Sequence, residues 1–367
     1  MSCVSQGGSL AARRTKVQVS DVPDTAPSAE TLSRWLEDCG TIPRGAVAEL
    51  HIDRRFRTTV SDLVFFSVTY TADAPTDLPR NLVVKSPLHP PTVPDAAVRE
   101  LEFYRRLGPE LGTPPLVRYL TAIEAGDAER GTLILEDIRA THDHLPWPLP
   151  PSSAQCELAI DALARVHATW WEAPALGKTV GRLHTAESLR AMVGGIVAYL
   201  PGFIAAFGDV IPDATRRVYE RVFASSLKPW LRLTDTVALT VAHGDAHAWN
   251  FLFPRSGRGP AVLIDWQLWH LDVGARDLAY FMALHWYPGR RRELEVPLLR
   301  SYHERLLALG IERYPFDALW LDYRRGVVRN LTIPLLLWSR GMAPEAWWHR
   351  LECAVAAYHE LECEELL

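Results

Sequence analysis

The stretch VAHGDAHAWNFLF, Val241 to Phe253, places a glycine, an aspartate, two histidines and an asparagine between two apolar runs. The apolar runs have the length and composition of short buried strands. Histidine, aspartate and asparagine side chains can exchange protons or bind cations, so a loop built from them is a candidate site of chemistry. What the chain does therefore depends on what this loop and the segment after it can bind.

The segment after the loop is predicted to fold back as a hairpin. NFLFPRSGRGPAVLIDW, residues 250–266, has two apolar runs separated by a turn rich in Gly, Pro and Ser from Pro254 to Pro260. Such a hairpin brings Asn250 and Asp265 to one end of the sheet, next to the loop that carries Asp245. Two carboxylates and an amide oxygen suit a hard cation such as Mg²⁺, and a carboxylate that is not a ligand can orient or deprotonate a hydroxyl group.

The spacing H-G-D-x-H-x-x-N, followed by I-D-W, resembles the aminoglycoside phosphotransferase and choline kinase-like superfamily, and most closely its ecdysteroid kinase-like branch. The resemblance implies an α+β fold of the two-lobed protein-kinase type, with a small β-rich N-lobe and a larger helical C-lobe. We expect a flexible tail over residues 1–28, a nucleotide-binding N-lobe over 29–137 and a C-lobe over 138–367 that carries the catalytic loop and the acceptor-binding helices. ATP, with GTP as an alternative, and Mg²⁺ are the implied cofactors.

The same resemblance implies a role for each residue of the motif. Asp245 would be the catalytic base, and Asn250 and Asp265 would be the Mg²⁺ ligands. His243 and His247 would support the loop. In the later segment DVGARDLAYF, Asp277 would brace the catalytic loop, although an ordinary helix N-cap explains an aspartate there equally well. The residues that the resemblance implies as structural supports of the loop are His243, His247 and Asp277.

A kinase also needs a lysine on a strand and a glutamate on the following helix. NLVVKSP predicts a strand that carries Lys85, and VPDAAVRELEFYRRLG predicts a helix capped by Asp95 and ended by Gly108. At helical spacing, Glu100 falls in the middle of the apolar face, where a carboxylate needs a cationic partner, and Lys85 is the natural one. Glu102 points the other way and can pair with Arg106 at i,i+4.

Two further segments are implied to hold the nucleotide. TLILEDI resembles the hinge between the lobes, where backbone groups of Glu136 and Ile138 would bind the adenine edge. The phosphate-covering loop is expected within RFRTTVSDLVFF, which contains no glycine, so Thr58, Thr59 and Ser61 would serve with hydroxyl and backbone N–H groups. The segment after the hinge, HDHLPWPLPP, is too rich in proline to predict regular structure.

Composition is typical of a reduced globular protein. The 367 residues, 48% of them apolar, suffice for two lobes with a sizeable core. A net charge of −5 without basic blocks argues against nucleic acid as a partner. The five cysteines form no C-x-x-C pair, which predicts a cytoplasmic protein without a disulfide framework. No apolar run is expected to reach the ~18 residues that cross a membrane, so we expect no membrane partner.

Two other functions stay open on the sequence. The first is a metal-dependent hydrolase. If the loop continued as a strand, its alternate residues would share a face, and further acids and a histidine could complete a two-metal site. The ligands would be His243, Asp245, His247, Asp265, His270 and Asp272. A catalytically inactive kinase-like binding protein would explain the glycine-free loop. A protein acceptor is disfavoured because no A-P-E element follows the I-D-W segment.

The expected partner is a small molecule with a hydroxyl group. Aminoglycosides are polycations and need acidic sites, whereas the expected acceptor walls are aromatic and basic. Their residues are Trp249, Trp269, His270, His285, Trp286 and Tyr287. A less charged hydroxylated metabolite or natural product fits better, such as a nucleoside or macrolide antibiotic or a sterol-like alcohol. Antibiotic resistance by O-phosphorylation is the biological role that such an acceptor would imply.

Overall fold

An antiparallel five-stranded sheet forms the N-terminal part of the protein. The computed structural model describes residues 26–58, 60–88, 95–123 and 131–367. The strands lie in the order β1-β2-β3-β5-β4. They are β1 (Val47–Arg57), β2 (Ser61–Tyr70), β3 (Asn81–Pro87), β4 (Tyr119–Ile123) and β5 (Thr132–Glu136). The sequence patterns predicted β2, β3 and β5, whereas β1 and β4 were missed because β1 carries many charged residues and β4 is short.

The alternation of β2 explains how this sheet is packed. Val64, Phe66 and Val68 are buried on one face of the sheet, where they meet Leu36 of helix α1 (Ala29–Asp38). The intervening Phe65 packs on the opposite face, against the larger core of the molecule. Because successive side chains of a strand point to opposite faces, one strand contributes to two separate cores. The sheet is therefore a layer between α1 and the rest of the chain.

The helix that follows β3 differs from its predicted form. It begins as α2 (Ala96–Glu102), widens into a π-helical turn at Phe103–Leu107 and ends as α3 (Gly108–Leu111). Asp95 occupies the predicted N-cap position, but it has φ 59° and its side chain makes no capping hydrogen bond. The predicted end at Gly108 is wrong. The helix ends before Gly112, whose φ of 69° suits glycine.

The remainder of the chain is mainly helical, as predicted. Its helices are α4 (Ser153–Thr169), α5 (Ala186–Val197), α6 (Leu200–Phe207), α7 (Asp213–Ala224), α8 (Lys228–Leu231), α9 (Ala275–Phe281), α10 (Pro288–Ala308), α11 (Phe316–Asn330), α12 (Thr332–Ser339) and α13 (Pro344–Glu360). Helix α9 is buried along its whole length and packs on α11, while α4 packs on α10. The α+β prediction, with a β-rich N-terminal part and a helical C-terminal part, is confirmed.

Two small sheets sit within the helical part. Strand β7 (Leu239–Ala242) pairs with β10 (His270–Val273). The predicted hairpin is present as β8 (Phe251–Pro254) and β9 (Val262–Leu263). A short strand β6 (His142–His144) adds to the edge of β8, so HDHLPWPLPP does contain regular structure. Its first three residues precede the prolines and are free to pair.

One apolar stretch contradicts the expectation drawn from hydropathy. Residues Ala186–Phe207, which comprise α5 and α6, are long and apolar enough to cross a membrane by length and composition alone. Glycines and Pro201 interrupt the large apolar side chains, which is why the stretch does not stand out in the sequence. Much of it is exposed, and Met192 and Tyr199 lie on its open side.

Candidate active site

The loop after β7 is a tight turn that only glycine permits. Gly244 has φ 82°, and a Cβ atom there would lie 2.3 Å from the carbonyl oxygen of Leu268 and 2.9 Å from Nδ1 of His270. The chain then passes through a 3-10 turn, Ala248–Asn250, into β8. The segment from His243 to His247 is therefore not a strand, and its alternate side chains do not share a face. This removes the geometric premise of the metal-hydrolase alternative.

Asp277 holds this loop through its backbone. Its buried carboxylate accepts hydrogen bonds from the backbone N–H of His243 at 2.6 Å and of Gly244 at 3.0 Å, and from Nε2 of His167 at 3.2 Å. Burial acts to raise the pKa of Asp277, but the bonds from His167 and the loop outweigh it, so the pKa lies below its ordinary value. Asp277 is not an N-cap, since Gly274 occupies that position of α9.

His243 is satisfied within the protein. Its Nδ1 accepts a hydrogen bond from the backbone N–H of Asp245 at 3.2 Å, which leaves Nε2 to donate to the carbonyl oxygen of Ile264 at 2.9 Å. Burial lowers the pKa of His243, so the imidazole is neutral. Among the residues that the structure describes, no group of three His, Cys, Asp or Glu side chains is arranged to hold a metal ion. A hydrolase with histidine ligands is thus not supported.

The carboxylate of Asp245 is held from two sides. Oδ1 accepts a hydrogen bond from the phenol of Tyr280 at 2.6 Å, and Oδ2 accepts one from Nδ2 of Asn250 at 3.2 Å. Nδ2 of Asn250 also donates to the backbone oxygen of Asp245 at 2.9 Å. Nε2 of His247 lies 3.6 Å from Oδ2. Since both contacts orient the amide nitrogen of Asn250 towards Asp245, its oxygen is left for a cation.

Asp265 lies beside Asn250 and faces the N-terminal sheet. The backbone N–H of Ile264 donates to the backbone oxygen of Asn250 at 3.0 Å, which aligns the two arms of the hairpin. Asp265 itself has φ 69°, a left-handed conformation that non-glycine residues adopt rarely. A carboxylate and an amide oxygen are few ligands, but they fit Mg²⁺, which keeps several waters and binds substrate phosphates.

Lys85 joins the two halves of the site. Its ammonium group donates to Glu100 at 2.8 Å and to Asp265 at 2.6 Å. Burial alone would lower the pKa of Lys85, but the two carboxylates raise it above its ordinary value. Burial raises the pKa of Glu100, whereas Lys85 holds the pKa of Asp265 below its usual range. The predicted partner of Glu100 is therefore present, and Asp265 is a second partner that was not predicted.

The exposed face of α2 is also as expected. Glu102 forms the predicted i,i+4 pair with Arg106, at 3.2 Å. Its side chain is 35% exposed, while that of Glu100 is 4% exposed. The two glutamates, two residues apart, thus lie on opposite sides of one helix.

The segments implied to hold the nucleotide lie at opposite ends of β3, since Ser61 pairs with Pro87 and Glu136 pairs with Leu82. Thr58 and Ser61 form the β1–β2 turn, in which the hydroxyl of Thr58 accepts the backbone N–H of Ser61 at 2.9 Å. Thr59 lies outside the described residues. At the predicted hinge, Glu136 ends β5 and its backbone N–H donates to the backbone oxygen of Arg118. The N–H of Ile138 has no hydrogen-bond partner within the described ranges, so it is available to a ligand.

The predicted acceptor-wall residues separate into two groups. Trp249 and His285 lie beside the catalytic loop, with ring centroids 6.0 Å apart. Trp269 and Trp286 are buried in the core, and the indole N–H of Trp269 donates to the backbone oxygen of Arg99 at 2.8 Å. Burial of both rings does not support their prediction as pocket walls.

His270 and Tyr287 also differ from an acceptor wall. His270 bonds the oxygen of Leu268 at 3.0 Å and Asp272 at 3.1 Å, and thereby packs under the Gly244 turn. Asp272 is itself paired with Arg329. Tyr287 is 61% exposed at the start of α10. His270 is thus placed as a support, and Tyr287 on an open surface.

Four residues near the loop were not predicted. Tyr280 bonds Asp245, and Arg350 of α13 donates to Nε2 of His285 at 3.2 Å. Trp147 packs edge-on against Trp249, with centroids 4.7 Å apart, and also approaches His349. Only Tyr280 had a signal in the sequence: it follows Asp277 by three residues, so both lie on one helix face. The others reach the site through tertiary packing.

The chain matches a known protein family. The family model described as the phosphotransferase enzyme family matches residues 61–315, more than half of the chain. No curated protein is similar enough in sequence to count as a relative. The nearer resemblance to the ecdysteroid kinase-like branch is not tested by these matches and stays a prediction.

Solved structures share the fold at low sequence identity. A Ralstonia eutropha protein assigned to the aminoglycoside phosphotransferases is 16% identical, with a TM-score of 0.58, over 91% of this chain and 96% of its own. A Plasmodium vivax ethanolamine kinase is 11% identical, with a TM-score of 0.54, over 87% and 84%. A macrolide 2′-phosphotransferase from Brachybacterium faecium is 15% identical, with a TM-score of 0.51, over 89% and 97%. The chain belongs to the phosphotransferase enzyme family.

Proposed function

We propose that this phosphotransferase transfers the γ-phosphoryl group of ATP to a hydroxyl group of a small molecule. The observation that carries the proposal is the meeting of Lys85, Glu100 and Asp265 beside the loop that holds Asp245 and Asn250. These five side chains come from both parts of the chain and combine charge for phosphates, oxygen ligands for a cation and a carboxylate for a hydroxyl. Phosphoryl transfer needs that combination, because its loose transition state is stabilised mainly by positioning and charge.

Each residue has a defined task in this proposal. Asp245 orients the acceptor hydroxyl and accepts its proton as the oxygen bonds to phosphorus. Lys85, fixed by Glu100, neutralises charge on the phosphates. Asn250 and Asp265 would hold Mg²⁺, which supplies further charge neutralisation when bound. His243, His247 and Asp277 keep the loop in place.

We also propose residues 29–137 as the nucleotide-binding lobe and residues 138–367 as the lobe that binds the acceptor. The free N–H of Ile138 at their junction, with the backbone of Glu136, suits the edge of adenine. ATP is the proposed donor and GTP the alternative. The Thr58–Ser61 turn would cover the phosphates, and a serine there offers a hydroxyl and a backbone N–H where many phosphate loops use glycine. Of the expected tail, residues 1–25 lie outside the described part of the chain, while the side chain of Ser28 caps α1.

The side chains around Asp245 favour an acceptor of low positive charge. Arg350 and the rings of Tyr280, Trp249 and His285 line this region. The indole N–H of Trp249 and Nδ1 of His247 are buried without a hydrogen-bond partner among the described residues. Unpaired buried polar atoms are costly unless a ligand satisfies them, and the indole N–H of Trp249 can only donate. We therefore propose a hydroxylated natural product or metabolite rich in acceptor oxygens, and resistance to an antibiotic by O-phosphorylation as the role.

The decisive experiment is thermal unfolding with and without Mg²⁺ and a non-hydrolysable ATP analogue, for the wild type and the Asp265→Ala variant. A ligand at about 100 times its dissociation constant stabilises the folded state by ~2.7 kcal/mol, which is a shift of a few degrees. We expect a Mg²⁺-dependent shift in the wild type that Asp265→Ala loses. The Lys85–Glu100 pair remains in that variant, so it should still fold.

Two results would overturn the proposal. Stabilisation by Zn²⁺ or Mn²⁺ alone, without any response to nucleotide, would point to metal-dependent hydrolysis. A nucleotide response without ATP consumption, with any of a panel of hydroxylated acceptors or with water, would favour a kinase-like binding protein. A shift that Asp265→Ala retains would move the cation site elsewhere.

A further inference from the structure

Tyr280 lies in contact with the reacting carboxylate but belongs to a different element. It is the sixth residue of α9, three residues after Asp277, so both side chains project from one face of that helix. Asp277 holds the backbone of the catalytic loop, and Tyr280 holds its side chain by donating to Oδ1 of Asp245 at 2.6 Å. One buried helix thus fixes the loop at two points.

The two oxygens of Asp245 have anchors of different origin. Oδ2 is bonded by Asn250 of the same loop, which can move with it, whereas Oδ1 is bonded from α9. Rotation about the Cβ–Cγ bond of an aspartate is soft, since this torsion has broad minima. A single anchor would leave the plane of the carboxylate free to turn. With both anchors present, the plane is set relative to the core of the molecule.

The phenol itself is held in place and remains a donor. Burial and the charge of Asp245 raise the pKa of Tyr280 well above its ordinary value, so the hydroxyl stays protonated. The backbone oxygen of Tyr280 accepts a hydrogen bond from Nδ1 of His285 at 2.8 Å, and the guanidinium of Arg276 lies 5.4 Å from its ring centroid. Arg350 in turn bonds His285 at 3.2 Å.

We propose that Tyr280 is a positioning residue for phosphoryl transfer, which turns the carboxylate of Asp245 so that its unshared lone pairs face the acceptor hydroxyl. This rests on the proposed role of Asp245. In the reaction the acceptor oxygen forms the new bond to phosphorus, the bond to the ADP oxygen breaks, and the hydroxyl proton passes to Asp245. Tyr280 donates its hydrogen bond throughout and exchanges no proton, so its contribution is the angle at which Asp245 meets that hydroxyl.

The test is the Tyr280→Phe variant, which removes one oxygen and keeps the ring. Tyr314→Phe is the matched control, because Tyr314 is equally buried and also donates to an aspartate, Asp322, at 3.1 Å. Phosphate release from Mg-ATP, with water as acceptor, gives the rate. We expect Tyr280→Phe to lower kcat about 10-fold, the loss that one hydrogen bond to a charged group entails, with KM for ATP unchanged. Tyr314→Phe should leave both constants unchanged.

A crystal structure of Tyr280→Phe gives a second measurement that needs no turnover. We expect the Asp245 carboxylate to rotate or to occupy two orientations, while the backbone of the loop stays on Asp277. A carboxylate in its original orientation, or a rate equal to that of the wild type, would overturn the role of Tyr280. If the wild type does not bind nucleotide, the proposed function is refuted instead. Failure of the proposed function is therefore distinguishable from failure of the role of Tyr280.

Discussion

The ammonium nitrogen of Lys85 lies 2.6 Å from the carboxylate of Asp265, although 180 residues separate them in the chain. The contact joins the third strand of the N-terminal sheet to the hairpin of the helical part. Glu100 shares the same ammonium group. In the proposed reaction, a nucleotide bound with Mg²⁺ would occupy Asp265 and leave the Lys85–Glu100 pair intact, so Lys85 would exchange one carboxylate partner for phosphate.

Glu100→Gln should therefore impair catalysis while Glu102→Gln should not. The first change removes the negative charge from one partner of Lys85 and leaves Asp265 as its only charged partner, so the lysine is drawn towards the proposed metal ligand and away from the phosphates. We expect kcat/KM for ATP to fall roughly 10-fold to 100-fold, as for the loss of a charge-assisted hydrogen bond. Glu102 forms an exposed pair worth about 0.3–0.5 kcal/mol, so its loss is small. Steady-state kinetics of the two variants decides; equal effects would contradict the role of Glu100.

Asp245→Asn should separate chemistry from nucleotide binding. The amide keeps the shape of the side chain and the bond from Tyr280, but it accepts no proton from the acceptor. We expect turnover to fall about 10²-fold to 10⁴-fold, the usual contribution of a general base. The thermal shift produced by Mg²⁺ and nucleotide should persist. Asp143→Asn, which removes an exposed carboxylate paired with Arg255, is the control and should match the wild type.

Asp277→Asn should weaken the fold itself. The carboxylate of Asp277 accepts three hydrogen bonds. In the variant, the amide nitrogen would face N–H groups whose hydrogen bonds it cannot accept. Breaking buried charged hydrogen bonds of this kind costs about 3–5 kcal/mol. We expect a lower urea midpoint with an unchanged m-value. Asp317→Asn, at an exposed position in the first turn of α11, should change stability by less than about 1 kcal/mol. Similar midpoints for both variants would contradict the bracing role.

Local pattern was enough to predict much of the site. The position of Glu100 on the apolar face of α2 predicted its contact with Lys85, because a buried carboxylate needs a cation and few were available. The turn between Pro254 and Pro260 predicted the hairpin that aligns Asn250 and Asp265. Both inferences concern residues close in sequence or a single strong energetic demand.

Contacts set by tertiary packing were beyond such inference. The bond from Lys85 to Asp265 depends on how the sheet meets the hairpin, and the approach of Arg350 to His285 depends on where α13 packs. Burial of Trp269 was likewise hidden, since an aromatic residue beside a loop suits either a pocket or a core. Each of these positions satisfies its local pattern equally well in several folds.

Stability should fall as the pH drops below about 6.5, because two buried histidines must stay neutral. Burial lowers the pKa of His243, and burial with the charge of Arg350 lowers that of His285. Above pH 6.5 both are neutral in the folded and unfolded states and contribute no pH dependence. Below it the unfolded chain takes up protons that the folded one does not, so the free energy of unfolding decreases, by about 1.4 kcal/mol per pH unit for each histidine.

The measurement is urea unfolding at pH 7.5, 6.5 and 5.5. The depressed pKa of Asp277 adds stability that is lost only in more acidic solution, so it does not contribute to the slope in this window. His285→Gln should reduce the slope by the contribution of one histidine, at most about 1.4 kcal/mol per pH unit. His51→Gln, at an exposed position of β1, should leave it unchanged. A wild-type stability that stays constant from pH 7.5 to 5.5 would show that the buried imidazoles take up protons in the folded state as readily as in the unfolded state, which would contradict this prediction.

Gly244→Ala should collapse the catalytic loop, whereas Gly257→Ala should not. Both glycines have positive φ, 82° and 67°, so each substitution places a side chain in a left-handed conformation that costs about 1–2 kcal/mol. Only at Gly244 would the new Cβ atom meet backbone, 2.3 Å from the carbonyl oxygen of Leu268. At Gly257, in the β8–β9 turn, nothing lies within 4 Å.

The difference between these two variants therefore isolates the steric demand of the loop from the cost of its backbone angle. To relieve the clash at Gly244 the loop must move away from β10, which carries the backbone N–H groups of His243 and Gly244 away from Asp277 and displaces Asp245 from Tyr280. We expect Gly244→Ala to lose turnover at least 100-fold and to unfold at lower urea concentration than Gly257→Ala. An active Gly244→Ala protein would mean that the loop tolerates a different path, and the geometry on which the site depends would then not be the reactive one.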